Sequence, residues 1–79
     1  MAGEEGSRVS EQIRAEMVAN VLSVLVQAGD QVAGGKAVVI LESMKMEIPV
    51  LAESGGTVDR VLVTAGDVVQ EGDVMVELI

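Results

Sequence analysis

Five side chains in this 79-residue chain carry a positive charge, and two of them are lysines, Lys36 and Lys45. Lys36 follows Gly34-Gly35, where a solvated turn residue accounts for it. Lys45 sits in Ile40-Leu41-Glu42-Ser43-Met44-Lys45-Met46-Glu47-Ile48-Pro49-Val50, flanked by Met on both sides and with no Gly, Asn or Asp beside it. If Met44 and Lys45 are the central pair of a two-residue hairpin, Ser43 faces Met46, Glu42 faces Glu47, Leu41 faces Ile48 and Ile40 faces Pro49. The tip would then hold non-Gly residues at positive φ, with two like charges opposed across the ladder. Rule-breaking positions of this kind concentrate at functional sites, and here the result would be a primary amine on a four-carbon stem held at an apex. The plainer alternative is a solvated strand lysine between two methionines that fill the core, with Pro49 at an edge or bulge.

Little else in the chain could do chemistry. There is no His and no Cys, which removes the usual zinc sites, thiol nucleophiles and His-based triads. A hydrolase built on carboxylates would need a pair of them in a cleft, but Asp30 and Asp67 occupy equivalent turns and Asp73 another, where turn chemistry explains them. Stand-alone catalysis is therefore not expected. Thirteen acidic against five basic residues give a formal net charge of −8 and there is no aromatic residue, so a nucleic-acid backbone would be repelled and its bases would find no stacking platform. The longest apolar run, residues 37–41, is far short of the ~20 residues that span a bilayer. The polar, acidic start of the chain is unlike a signal peptide, and the expectation is a cytoplasmic protein.

The elements that must position Lys45 follow from an internal repeat. Residues 21–42 align without gaps on residues 58–79 at a shift of 37, with 11 of 22 pairs identical. Periodicity by itself reads residues 10–29 as a helix, since Ile13, Met17, Val21 and Leu25 recur every four positions. The second copy, with Val58-Asp59-Arg60-Val61-Leu62-Val63, is β-branched and short, so both copies are read as strands. Each copy becomes strand, Ala-Gly-Asp turn, a short stretch around Val32 or Val69, a second turn and another strand. The expected architecture is all-β, a flattened barrel or sandwich of two halves related by a pseudo-twofold axis, neither folding alone. Residues 1–13 are expected to be a flexible tail and residues 14–79 the domain.

With these residues in place, the sequence resembles the biotinyl/lipoyl attachment domain family, and within it the biotin carboxyl carrier proteins. Met44-Lys45-Met46 matches the family's Met-Lys-Met attachment motif, on the linker between two halves of the repeat, and the similarity runs over residues 15–78. The resemblance implies two four-stranded antiparallel sheets with the modified lysine on an exposed hairpin. It implies biotin joined by an amide to Lys45, with Met44 and Met46 as the pair a biotin protein ligase reads and Glu42 and Glu47 flanking the hairpin. Ser43 stands where many relatives have Ala. Glu16, Val18 and Ala19 replace a Pro- and Gly-containing stretch, which bears on where the first strand begins. Residues 26–32 leave no room for the protruding insertion of some bacterial acetyl-CoA carboxylase carriers.

As a carrier, the domain would shuttle a carboxyl group between a biotin carboxylase and a carboxyltransferase, itself non-catalytic and monomeric, the tether raising the local cofactor concentration. Lipoate, alone or alongside biotin, is the alternative cofactor. An unmodified lipoyl-like packing module is the alternative from another class, and it would need no lysine at the hairpin.

Overall fold

A computed structural model describes residues 9–79, which form eight strands and no helix. The strands are β1 (Glu11–Arg14), β2 (Ala19–Val24), β3 (Gln31–Ala33), β4 (Ala37–Ser43), β5 (Met46–Leu51), β6 (Gly55–Val61), β7 (Val68–Val69) and β8 (Val74–Leu78). They make two four-stranded antiparallel sheets, ordered β1-β8-β6-β3 and β5-β4-β2-β7. The fold expected from the sequence is therefore the fold observed.

The repeat explains the arrangement strand by strand. Shifting by 37 residues carries β2, β3 and β4 onto β6, β7 and β8, and β1 onto β5, so one sheet order becomes the other. Registers follow to the residue: Val21 opposite Leu41 becomes Val58 opposite Leu78, and the bulge after Val21 recurs after Val58. Each half lends its short strand to the other half's sheet, β3 to β6 and β7 to β2. Neither half can complete its own ladder, which is the physical content of the expectation that neither folds alone.

Four equivalent turns hold the exchange together. At Gln27-Ala28-Gly29-Asp30 the Asp30 N–H donates to the Gln27 carbonyl at 3.0 Å, and the Asp30 carboxylate accepts from the Gln27 N–H at 2.9 Å. Asp67 with Thr64 and Asp73 with Gln70 repeat both bonds, while Lys36 supplies only the backbone one with Ala33. Gly29 takes φ 96° at the third position of its turn, which an L side chain resists. Each turn clasps the opposite half through two backbone bonds. Gly29 donates to Val58, whose N–H donates to Asp30; Gly66, Val21 and Asp67 repeat the pattern.

The core lies between the sheets and pairs equivalent residues: Val21 with Val58, Val32 with Val69, Val39 with Val76, and Leu41 with Leu78, all buried. Aliphatic side chains fill it without rings or disulfides. One expectation needs correcting. Of the tail assigned to residues 1–13, residues 1–8 lie outside the described residues, but residues 11–13 belong to β1 and Ile13 is only 4% exposed. The polar sequence hid this strand, because its partners on β8 lie 60 or more residues away and only Ile13 faces the core. The replaced stretch at residues 16–18 forms a bend, and β2 begins at Ala19 opposite Val69.

Candidate attachment hairpin

The chain reverses at Met44 and Lys45, the two residues between β4 and β5. Ser43 pairs with Met46, Glu42 with Glu47, Leu41 with Ile48 and Ile40 with Pro49, the register the sequence predicts. Both tip residues have positive φ, 53° for Met44 and 66° for Lys45, the signature of a turn ordinarily given to Asn-Gly. For L-residues this conformation costs roughly 1–2 kcal/mol each. It is held by the ladder beneath it: Leu41 is buried in the core, while Ile48 and Val50 pack against it half-buried.

Ladder pairs alternate in type outward from a two-residue tip, so Ser43–Met46 and Leu41–Ile48 exchange hydrogen bonds while Glu42–Glu47 and Ile40–Pro49 do not. Pro49 therefore faces outward at the one kind of site where its missing N–H costs no ladder bond, on an edge strand. The same alternation puts Glu42 and Glu47 in the closer kind of pair, where their like charges repel most. They bracket Lys45 with negative charge one layer below the tip.

Lys45 is exposed, and among the described residues its amine makes no ion pair and no side-chain hydrogen bond. Met44 is 90% exposed and Met46 60%. All five candidate residues, Glu42, Met44, Lys45, Met46 and Glu47, thus share one projecting hairpin. Away from the tip, a groove of about 780 Å³ lies between edge strands β1 and β5, its lining including Ile13, Met17, Ile48 and Val50 together with Glu11 and Glu53. It includes none of the tip residues. The plainer reading of the methionines as core fillers fails on their exposure.

Asp30, Asp67 and Asp73 each accept a hydrogen bond from an N–H group within their own turns, as turn chemistry requires. Among the described residues no three His, Cys, Asp or Glu side chains converge as a metal site. Sequence reasoning missed Glu11, whose carboxylate accepts from the N–H groups of Glu53, Ser54 and Gly55 at 2.8, 3.1 and 3.3 Å, fastening β1 to the turn before β6. Its partners are backbone amides more than 40 residues distant, and no local pattern marks such a contact.

The class defined by this fold and hairpin is the attachment domain. The chain matches the family described as "Biotin-requiring enzyme" over residues 6–78, and it belongs to that biotin/lipoyl family. It is 55% identical over 67 residues to the biotinylated protein TB7.3 homolog of Mycobacterium leprae (strain TN), covering 85% of this chain and 94% of that one. It is 52% identical over 63 residues to the biotin/lipoyl attachment protein of Bacillus subtilis (strain 168), covering 80% and 86%. Among solved structures, the Kluyveromyces lactis urea carboxylase superposes with a TM-score of 0.82 at 32% identity, over 87% of this chain and 6% of that longer one.

Proposed function

We propose that this protein is a biotin carrier, acylated on Lys45 by a biotin protein ligase and serving a biotin-dependent carboxylase. The observation that carries the reading is the placement of Lys45, which has no ion pair among the described residues, at a projecting, backbone-strained tip between two exposed methionines. Two relatives similar over most of the chain bear names that refer to biotin attachment, and the urea carboxylase structure holds a segment of the same fold.

The residues present fit the group. Lys45 Nζ would hold biotin through an amide to its carboxyl carbon, the neutral amine displacing the leaving group of a ligase-activated carboxyl and giving up a proton, so that the side chain's positive charge would be lost and the formal net charge would go from −8 to −9. Bound biotin supplies a ureido nitrogen able to carry a carboxyl group. The hairpin presents the arm at the end of the β4–β5 ladder, which is anchored on the core through Leu41, Ile48 and Val50. Met44 and Met46 present an apolar surface on either side of the amine for the ligase to recognise. Glu42 and Glu47, with the acidic remainder of the domain, favour partners whose docking faces are basic. The chemistry belongs to those partners, a biotin carboxylase and a carboxyltransferase, and the domain itself is a non-catalytic carrier. Visits to each are effectively intramolecular when the carrier is held in the same assembly. The carrier acts in the cytoplasm and stays monomeric in isolation, which leaves the tip accessible.

The name of the Bacillus subtilis relative supports a second reading, attachment of lipoate to the same lysine. Intact mass after co-expression with a biotin ligase distinguishes the two adducts. The expected result is a single biotin adduct on the parent and none on Lys45→Arg; an unmodified parent, or the same adduct on the variant, overturns the assignment.

A further inference from the structure

We propose that Met44 and Met46 are a reversible oxidation site that governs whether Lys45 can be acylated. The inference rests on the reading of Lys45 as an acceptor, and adds its regulation. The chain contains no Cys, His, Trp or Tyr, so the thioethers of its five methionines are the side chains most readily oxidised by a mild two-electron oxidant. The fold ranks them steeply. Met44 is 90% exposed and Met46 60%, whereas Met17 is 39% exposed and Met75 is 0% exposed in the core; Met1 lies outside the described residues. The two most exposed of the described thioethers therefore flank the acceptor amine.

With hydrogen peroxide as oxidant, a sulfur lone pair attacks one peroxide oxygen, the O–O bond breaks, an S–O bond forms and water leaves. Sulfur loses two electrons and peroxide gains them. The reverse step takes its two electrons from two thiols of a methionine sulfoxide reductase, which become a disulfide as the oxygen leaves in water. Each oxidation turns a flexible apolar side chain into a polar, chiral one. Neither tip thioether belongs to the core, so the sulfoxides change the surface that a ligase must cover without disturbing the sheets. The amine of Lys45 keeps its chemistry but loses the apolar surface on both sides.

The test is to treat the unmodified protein with graded hydrogen peroxide, map the sulfoxides by peptide mass, and measure its rate of biotin transfer from a biotin ligase. Met44 and Met46 should oxidise at least about tenfold faster than Met75, in line with thioether exposure. Loss of the apolar surface should slow biotin transfer by at least about tenfold. Treatment with both stereospecific reductases should restore the rate. Met44→Leu/Met46→Leu, whatever its own rate, should show the same rate before and after peroxide. Preferential oxidation of Met17 or Met75, or an unchanged rate once both tip sulfoxides are in place, overturns the proposal. So does loss of far-ultraviolet circular dichroism on treatment, because the effect would then be unfolding. Failure of the untreated protein to accept biotin would instead overturn the acceptor reading and the regulation with it, while the mapped order of oxidation remains a separate measure of the site.

Discussion

The two sheets share one backbone plan and differ in what they do with it. In one, β4 runs through Met44 and Lys45 into β5; at the equivalent place in the other, β8 and β1, the last and first strands among the described residues, lie side by side. Their outer faces differ as well. Across the β1-β8-β6 face Arg14 donates to the Gln12 side chain at 2.6 Å, Gln12 donates to Glu77 at 2.8 Å, and Arg60 lies 3.7 Å from Glu77. The equivalent positions beside the hairpin are Leu51, Pro49, Ile40 and Ser23, with no charged residue among them. One sheet closes its outer surface with polar contacts, and the other carries the strained tip and the less polar face. The repeat supplies the scaffold twice, and the amine of Lys45 stands on the linker that joins the two copies.

This comparison can be tested by making matched changes in the two halves. The largest effect is expected in the core, where Leu41→Ala and Leu78→Ala should each cost about 2–5 kcal/mol in urea unfolding. The two values should agree closely, since both leucines are fully buried at equivalent registers; a large disparity would show that one half dominates the fold.

At the tip, the comparison predicts that function and stability oppose each other. Met44→Asn/Lys45→Gly supplies residues suited to positive φ and should raise the unfolding free energy by about 1–2 kcal/mol while removing the acceptor. An unchanged or lower stability would mean that the tip is not strained as its φ angles indicate. In the turns, Asp30→Ala and Asp67→Ala should each lose about 1 kcal/mol with the side-chain bond to the N–H three residues earlier. Lys36→Ala, at the corresponding place in the turn that lacks this bond, should stay within about 0.5 kcal/mol of the parent.

The repeat made most of the fold legible, because a strand ambiguous in one copy was unambiguous in the other. Residues 10–29 show how: helical periodicity in the first copy yields to the β-branched run at Val58 and Val61, and β2 and β6 share one conformation. The hairpin was legible because a two-residue tip at Met44-Lys45 fixes every pairing down to Ile40 and Pro49. β1 and the Glu11 contacts were not, since both depend on partners distant in sequence and leave no periodic trace.

The amino-acid sequence alone determined the strand units, their turns, and the lysine between two methionines, because these follow from side-chain type, spacing and duplication, all local properties of the chain. Only the tertiary structure decided that each half completes the other's sheet, that residues 11–13 join the domain, and that Met44 and Met46 face solvent while Met75 is enclosed. The reason is physical: burial and ladder pairing depend on which distant strand arrives beside a residue, and a side chain carries no record of its neighbour until the chain has closed around it.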